Sequence, residues 1–320
     1  MLTKKKISII PVAYKDEGNI EELYKRVTKV MQEVASNYEI IYINDASPDK
    51  SQEILEKLAS KDKKLTVMTH SRNFGVQSAF TTGMIQSLGD AVVIMDGDLQ
   101  DPPELIPEFI KKWQEGYDVV YGHRSKREKG MGRFWEFAMH KFYEFLNSIS
   151  YVKPLVDVGE FSLMDRKIVD IINALPEKDR FIRGMRAWTG FKQTGVSYIR
   201  PERFWGAGVA TSSITRRLYW VRKAIFNFSY APLDWVFYAA IAGVFVSIIF
   251  LLFYIISKTF FPSLINEVSL TAVLVIFVGS IQLISISIIC EYLQRIFEEV
   301  KNRPYSVVKS IINDHKLSKR

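Results

Sequence analysis

The chain has 320 residues, of which 48% are hydrophobic and 24% are charged, and its formal net charge is +8. The single cysteine, Cys290, excludes an internal disulfide, so the soluble part suits a reducing compartment such as the cytosol. The hydrophobic fraction makes a membrane segment worth seeking, whereas the charge alone does not choose among nucleic acid, anionic lipid and phosphorylated small molecules.

Short apolar runs alternate with segments of helical apolar spacing from the start of the chain to about Gly122. The first run breaks at Pro11 without a small-residue cleavage site, so it predicts a strand and not a signal peptide. The βαβα alternation predicts an α/β domain with helices on both faces of a mostly parallel sheet, in which ligands bind beyond the carboxyl ends of the strands. The predicted strands are 7–12, 38–44, 65–69, 91–95 and 118–121, and the predicted helices include 19–35 and 52–59.

The segments after the first two predicted strands carry polar residues but no phosphate-binding glycine motif. Residues 11–17 contain neither G-x-G-x-x-G nor G-x-x-x-x-G-K-[ST], which disfavours a dinucleotide-dependent dehydrogenase and a P-loop NTPase. The second strand ends in N-D-A-S-P-D at 44–49. Asp45 is placed there to accept a hydrogen bond from a base or a ribose, while Ser47 or Asp49 can cap the next helix.

The most specific local pattern follows the fourth predicted strand. Asp96 and Asp98 flank Gly97 directly after an uninterrupted apolar run, and Gln100 comes two residues later, before a Pro-Pro helix start. Carboxylate and amide oxygens are hard ligands that suit Mg²⁺ or Mn²⁺ and leave coordination positions for substrate phosphates. A lone D-x-D occurs in many solvated turns, but its place at a strand end indicates a metal site.

Two segments in the C-terminal third, 235–256 and 268–290, carry no acidic or basic residue. At about 1.5 Å per residue, each is long enough to cross a hydrocarbon layer of about 30 Å. The short link between them predicts a transmembrane hairpin with both ends on one side. The basic flanking residues, which predict cytoplasmic ends and both termini in the cytoplasm, are Arg216, Arg217, Arg222 and Lys223 before the hairpin and Arg295, Lys301 and Arg303 after it.

The residues before the hairpin mix basic and aromatic side chains, which predicts a helix lying in the membrane interface. An ordinary amphipathic helix packed on the soluble domain is the alternative. The predicted organisation is a soluble domain over 1–212, an interfacial helix over 213–231, a transmembrane hairpin over 232–291 and a cytoplasmic tail over 292–320.

Several motifs in this order together resemble a known family. They are P-V-x-Y-x-x-E-x-N-I, N-D-A-S-P-D, S-R-N-F-G, G-D-A-V-V-I-M-D-G-D-L-Q-D-P-P-E, D-V-V-Y-G-H-R, D-V-G-E-F-S-L, R-F-I-R-G and R-F-W-G, with E-Y-L-Q-R-I after the second apolar segment. The set resembles inverting family 2 glycosyltransferases with a GT-A fold. Within them it is similar to the polyprenyl-phosphate glycosyltransferases, the dolichol-phosphate-mannose-synthase-like group, and to its bacterial subgroup with a two-helix C-terminal hairpin.

The resemblance implies a role for each matching residue of the donor site. Asp45 would contact the nucleobase. Gly97 replaces the alanine that is commoner in the family, which is expected to be harmless. The residues implied to line the nucleotide pocket are Pro11, Ala13, Glu17 and Asp96, and those implied to hold Mg²⁺ or Mn²⁺ on the diphosphate are Asp96, Asp98 and Gln100.

Four further residues are implied in catalysis by the same resemblance. Arg124, Arg133 and Arg203 would grip phosphates of the donor or the acceptor, and Asp157 would meet the donor sugar and the acceptor. A monoalkyl phosphate has a second pKa of about 6 and is largely a dianion at neutral pH, so such an acceptor needs no strong base. Whether Asp157 removes a proton or only orients the substrates stays open.

The implied function is inverting transfer of a hexose, with glucose from UDP-glucose favoured, to an undecaprenyl-type polyprenyl phosphate. The protein would be integral to a bacterial inner membrane, in contact with membrane lipid but not with nucleic acid, and a homo-oligomer is compatible with the sequence. The alternatives are transfer to a lipid or glycan hydroxyl and a non-catalytic membrane protein that binds nucleotide sugars. The chain lacks the Q-x-x-R-W signature of processive synthases, and its intact Asp96 and Asp98 argue against a non-catalytic role.

Overall fold

The computed structural model describes residues 1–126, 141, 158–206, 225–226, 229–260 and 267–316. The chain divides into two compact units. The first comprises Met1–Tyr143, Val152–Ser213 and Asn302–Arg320, and the second comprises Glu144–Tyr151 and Ile214–Lys301. The first unit, called the sheet domain below, therefore combines segments from both sides of the long apolar region.

The sheet domain is built on one eight-stranded sheet with the order β7-β5-β6-β4-β1-β2-β3-β8. The strands are Thr3–Ala13 (β1), Ala35–Asn44 (β2), Leu65–His70 (β3), Ala91–Asp96 (β4), Val119–Lys126 (β5), Val158–Asp165 (β6), Gln193–Ile199 (β7) and Val308–Ile312 (β8). All strands except β6 and β8 run in one direction, because β6 is antiparallel to both β4 and β5, and β8 is antiparallel to β3. The predicted mostly parallel α/β sheet is confirmed.

The helices of the sheet domain follow the spacing of apolar residues in the sequence. In the first helix Ile20, Leu23, Val27 and Met31 are buried at intervals of three or four residues, which places them on one face. The helices are Glu17–Val34 (α1), Ser51–Lys61 (α2), Val76–Gln86 (α3), Ile106–Gln114 (α4), Arg166–Ala174 (α5) and Ile182–Trp188 (α6).

Two hydrophobic cores lie on the two faces of the sheet. Ile9 of β1 belongs to one buried cluster together with Leu23 of α1, whereas Ile10 belongs to the other together with Phe80 of α3. Successive side chains of a strand point to opposite faces, so one central strand supplies both cores. Helices are therefore needed on both faces, as the βαβα alternation predicts.

The C-terminal strand β8 closes one edge of the sheet by pairing with β3. The pairing joins Val67 to Ile312 and His70 to Val308. This strand covers backbone groups that an edge strand would leave open. From the sequence, residues 292–320 are expected to form a cytoplasmic tail. In the structure, residues 308–312 are a strand of the sheet domain.

Contacts beyond β8 fix the chain end to the sheet domain. The Asn313 side-chain amide donates to the carbonyl oxygens of Ala59 (2.7 Å) and Leu65 (3.0 Å). His315 Nδ1 lies 3.4 Å from Glu39 Oε2, and the hydrogen bond with Glu39 raises the pKa of His315. Burial opposes ionisation of Glu39, but hydrogen bonds from His315 and other donors outweigh it and lower the pKa of Glu39 to about 2.

The described part of the second unit consists mainly of two long apolar helices, Ala231–Phe260 (α7) and Glu267–Lys301 (α8). Both are long and apolar enough to cross a membrane, and neither candidate span is buried inside the protein. A soluble core helix would be mostly buried, so exposed apolar surface along the whole length fits a lipid environment. Most of the predicted interfacial helix and residues 261–266 of the loop lie outside the described residues.

Candidate active site

The functional residues predicted from the sequence converge on one edge of the sheet. Strands β1, β2, β4, β5 and β7 end at this edge, and the antiparallel strand β6 begins there. The carboxyl ends of parallel strands are the usual place for ligands in open α/β sheets. The residues at or just beyond these strand ends include Asp16, Asp45, Asp96, Asp98, Arg124 and Arg203.

Three aspartates, Asp96, Asp98 and Asp101, lie at the end of β4 and in the loop that follows it. Asp98 is 9% exposed, and Asp101 is fully buried. Asp101 accepts a hydrogen bond from the Tyr198 hydroxyl at 2.9 Å and a longer one from the amide of Asp96 at 3.3 Å. Burial, followed by the charges of Asp101 and Asp98, raises the pKa of Asp96 well above its ordinary range. A cation bound beside Asp96 would counteract both causes and favour the charged form of this carboxylate.

Two arginines after β7 face this acidic loop. Arg203 Nη2 lies 2.9 Å from Asp16 Oδ1 and 3.7 Å from Asp98 Oδ2, and Arg200 Nη2 lies 3.8 Å from the same Asp98 oxygen. The Nε atoms of both arginines are buried, and no described residue accepts their hydrogens. Each guanidinium thus keeps an unused donor beside Asp98, an arrangement suited to a phosphate oxygen.

Gly97 allows the acidic loop to pass against β1. A Cβ added at this position would overlap the backbone carbonyl oxygen of Val12 and would lie 3.4 Å from the Tyr42 hydroxyl. The Tyr42 hydroxyl is itself buried and has no partner among the described residues. Glycine thus fits this backbone, whereas Gly97→Ala would require the Val12 carbonyl to shift, because a carbonyl group cannot move aside as a flexible side chain can.

Three non-glycine residues in the strand-end loops have left-handed backbone conformations, and each adjoins a carboxylate of this edge. They are Lys15 (φ 59°) before Asp16, Ala46 (φ 53°) after Asp45 and Leu99 (φ 61°) after Asp98. Such conformations cost on the order of 1–3 kcal/mol each and persist where the surrounding structure holds them. The carboxylates are therefore positioned by loops whose backbone is fixed at some energetic cost.

Asp45 belongs to a second cluster at the end of β2. Its Oδ1 lies 2.7 Å from His70 Nδ1 and accepts from the amide of Phe74 at 2.9 Å, while its Oδ2 accepts from the amide of Gly75 at 2.8 Å. Asp45 is 2% exposed. A carboxylate offers about four acceptor positions, so these three contacts leave one for a ligand.

The other residues implied in the nucleotide pocket have mixed positions. Pro11 and Ala13 are buried within β1, and their place in the nucleotide pocket stays a prediction. Ala13 already accepts from the amide of Asp45 at 3.1 Å. Glu17 Oε2 accepts from the amide of Lys50 at 2.8 Å, at the start of α2. Glu17 therefore ties the first two strand-end loops together.

Arg124 and Glu160 approach the acidic loop from β5 and β6. Arg124 Nε donates to the Tyr198 hydroxyl at 3.4 Å. Glu160 Oε1 accepts from Gln77 at 2.9 Å and lies 3.1 Å from Arg183 Nε, while its Oε2 is buried without a described partner. Glu160 is the second acid of the D-V-G-E-F motif and is a site residue that the motif pattern alone did not indicate.

The other predicted acid of that motif, Asp157, and the predicted phosphate ligand Arg133 lie outside the described residues. Asp16, Asp101 and Arg200 were also not selected, and the structure adds them to the site. Arg200 could have been recognised in the sequence by its position, because it lies three residues before Arg203 and directly follows the residues that form β7.

No group of three or more His, Cys, Asp or Glu side chains among the described residues has metal-binding geometry as it stands. The residues nevertheless suit a hard divalent cation, because the half-buried Asp96 and the buried Asp98 bring two carboxylates together after β4. The Gln100 amide nitrogen donates to the carbonyl of Pro201 at 3.2 Å, which leaves the amide oxygen as an acceptor. The donor set fits Mg²⁺ or Mn²⁺.

Comparison with known proteins gives matches over nearly the full length. The family model described as Glycosyl transferase family 2 matches residues 8–172. The chain is 39% identical over 302 residues to the uncharacterized glycosyltransferase YkcC of Bacillus subtilis, covering 94% of this chain and 93% of that protein. It is 36% identical over 313 residues to the uncharacterized glycosyltransferase sll0501 of Synechocystis, covering 95% of each. It is 35% identical over 304 residues to the SfII prophage-derived bactoprenol glucosyl transferase of Shigella flexneri, covering 95% of this chain and 97% of that protein.

Proposed function

The chain belongs to glycosyl transferase family 2, and we propose that it transfers a hexose from a nucleotide diphosphate to a polyprenyl phosphate at a membrane surface. The observation that carries this proposal is the pairing of the buried Asp98, next to the half-buried Asp96, with Arg200 and Arg203, whose Nε donors are used by no described residue. Such a site attracts both a divalent cation and phosphate oxygens, which are the two charged parts of a metal-bound nucleotide sugar.

The acceptor determines how much proton transfer the site must perform. A phosphate monoester is largely a dianion at neutral pH, so its oxygen can attack the anomeric carbon without a strong base. The bond from that carbon to the diphosphate oxygen then breaks, its electron pair leaves on the diphosphate, and the anomeric configuration inverts. Asp157 would orient the acceptor and the sugar in this scheme.

Charge on the departing diphosphate is stabilised by the residues around Asp98. Arg200 and Arg203 donate to its oxygens through groups that no described residue uses. When bound by Asp98, Asp96 and Gln100, Mg²⁺ or Mn²⁺ supplies Lewis-acid stabilisation of the same oxygens. The favoured donor is UDP-glucose, since a relative at 35% identity is named a bactoprenol glucosyl transferase.

The proposed reaction is tested by following a labelled sugar from UDP-glucose into lipid. We expect label in the organic phase when undecaprenyl phosphate is supplied, as an acid-labile β-glucosyl phosphate formed from the α-linked donor. Undecaprenol, which lacks the phosphate, should accept less than about 1% as much, because its hydroxyl proton is held too tightly for this site. Equal transfer to the alcohol would favour a hydroxyl acceptor, and label only in free glucose or polymer would contradict the proposal.

The apolar helices α7 and α8 are proposed to span the bacterial inner membrane as a hairpin. Strand β7 precedes them and strand β8 follows them in one hydrogen-bonded sheet, so both ends of the apolar region are continuous with the sheet domain. An even number of crossings satisfies this connectivity. The excess of Lys and Arg on the flanks supports a cytoplasmic position for the sheet domain and both termini.

Single cysteines test this topology. In a Cys290→Ser background we expect Ser263→Cys, in the loop between the helices, to react with an impermeant thiol reagent in intact cells. Lys50→Cys, at an exposed position before α2, should react only after the membrane is opened. Labelling of position 50 but not 263 in intact cells would reverse the topology.

A further inference from the structure

We propose that the chain segment after α8 contributes to binding of the donor nucleotide. It does so by positioning the carboxylate of Asp45 through Ser306, Thr82 and His70. The inference rests on the proposed function and on the resemblance to family 2 glycosyltransferases, which implies that Asp45 contacts the nucleobase. His70 is then a positioning residue, since it acts on the nucleotide through Asp45.

A continuous line of short polar contacts joins the C-terminal segment to Asp45. Ser306 Oγ lies 2.6 Å from Thr82 Oγ1, Thr82 Oγ1 lies 2.9 Å from His70 Nε2, and His70 Nδ1 lies 2.7 Å from Asp45 Oδ1. Asp45, His70 and Thr82 are 2%, 1% and 6% exposed, so water does not replace these contacts. Both ring nitrogens of His70 are thereby engaged.

Thr82 connects Ser306 to His70 through its hydroxyl group. The Thr82 hydroxyl donates its one hydrogen to the carbonyl oxygen of Ser78 at 3.0 Å. The Ser78 carbonyl and the Ser306 hydroxyl together fix the orientation of the Thr82 hydroxyl that contacts His70 Nε2. The His70 ring, held at Nε2 in this way, meets Asp45 through Nδ1.

The same segment also holds the loop that Asp45 organises. The amide of Ser71 donates to the carbonyl of Val307 at 2.9 Å, and the amides of Phe74 and Gly75 donate to Asp45. Residues 71–75, the S-R-N-F-G motif, are therefore attached to the C-terminal segment at one end and to Asp45 at the other. The start of α3, at Val76, follows directly.

Contacts on either side of Ser306 fix its position independently of its hydroxyl. Tyr305 accepts a hydrogen bond from Arg180 at 2.9 Å and donates to the carbonyl of Leu175 at 3.1 Å. On the other side, β8 pairs with β3 from Val308 onward. Removing the Ser306 hydroxyl should therefore leave the strand in place and change only the line to Asp45.

Four variants of the full-length enzyme test the inference, with UDP as the binding probe. Ser306→Ala removes the hydroxyl, and the matched control Ser310→Ala removes an exposed hydroxyl from β8, which follows Ser306 in the chain. His70→Asn keeps an amide donor near the Nδ1 position, whereas His70→Gln places its amide near Nε2 and loses the Asp45 contact.

We expect Ser306→Ala to raise the KM for UDP-glucose and the Kd for UDP about fivefold, as for the loss of one buried neutral hydrogen bond. His70→Gln should raise both by about 30-fold or more, since it leaves buried acceptors unpaired, and His70→Asn should fall between these values. The KM for undecaprenyl phosphate should not change in any of them, and Ser310→Ala should match the unaltered enzyme.

Two outcomes would overturn the inference while the proposed function stands. One is unchanged UDP binding in both Ser306→Ala and His70→Gln. The other is an equal loss for donor and acceptor, or equal defects in His70→Asn and His70→Gln, which would indicate a general structural role. An unaltered enzyme that binds no UDP would instead refute the proposed UDP-sugar donor together with the inference.

Discussion

Replacing Asp98 by Asn should remove sugar transfer almost completely while the sheet domain stays folded. Asn keeps the shape of the side chain and an oxygen that can accept from the amide of Gln100, now at 3.1 Å. It loses the charge that attracts a divalent cation and that faces Arg200 and Arg203. Removing one electrostatic contributor to a transition state of this kind costs on the order of 100- to 1000-fold in kcat.

The expected effect on stability is small. Asp98 is 9% exposed between two aspartates, Asp96 and Asp101, and two arginines, Arg200 and Arg203. Loss of its charge relieves repulsion from the aspartates and removes attraction to the arginines, so the Tm of Asp98→Asn measured without added metal should stay close to that of the unaltered protein. The matched control is Asp170→Asn, which removes an exposed carboxylate from a surface pair with Arg166.

Both measurements are needed to assign Asp98 to the reaction. Transfer should disappear in Asp98→Asn and, for the unaltered enzyme, in the presence of a chelator, while Asp170→Asn keeps its activity. A near-normal rate in Asp98→Asn, or a chelator-resistant unaltered enzyme, would contradict the role assigned to the D-G-D loop. A large fall in Tm would show that Asp98 is structural.

The sequence predicted the first five strands because each is a short apolar run followed by a polar loop. The observed strands β3 and β4 differ from those predictions by single residues at their ends. Strand β8 has no comparable local signal, since V-K-S-I-I is short and its partner β3 lies about 240 residues earlier in the chain. Its place in the sheet follows from pairing that only the folded chain provides.

The site shows the same division between local and distant information. Asp96 and Asp98 were recognised because an apolar strand and the D-G-D spacing stand next to each other in the sequence. Asp16 was not recognised, because its role depends on the ion pair with Arg203, which lies 187 residues later in the chain. The link from Ser306 to Asp45 joins residues from opposite ends of the chain, so spacing cannot reveal it.

Replacing Arg203 by Lys should lower kcat/KM for the nucleotide sugar by about 100-fold, because a lysine ammonium lacks the rigid planar fork with which a guanidinium holds two partners at fixed positions. The Arg203 guanidinium donates to Asp16 at 2.9 Å, and its Nε keeps a further donor for a phosphate oxygen. Hydrogen bonds to charged groups contribute about 1.5–3 kcal/mol each, and about 1.4 kcal/mol corresponds to a factor of ten. Losing the phosphate contact and weakening the pair with Asp16 accounts for the expected factor.

Arg203→Lys is a more specific test than Arg203→Ala because it keeps a positive charge beside Asp16. Burial raises the pKa of Asp16, and the positive charge of Arg203 opposes that rise. Arg203→Ala would leave Asp16 buried without its cation, so lost activity would be mixed with lost stability. Arg203→Lys retains the charge, and its Tm should stay close to that of the unaltered protein.

The matched control is Arg26→Lys, which alters a surface arginine held in a forked pair by Glu104 at 2.7 and 2.5 Å. This pair is exposed, so its replacement should leave both transfer and Tm nearly unchanged. A tenfold or smaller loss in Arg203→Lys would mean that positive charge alone suffices and that no forked phosphate contact exists. A loss of about 100-fold with normal Tm and unchanged membrane location, beside an active Arg26→Lys, would establish Arg203 as a phosphate-binding residue.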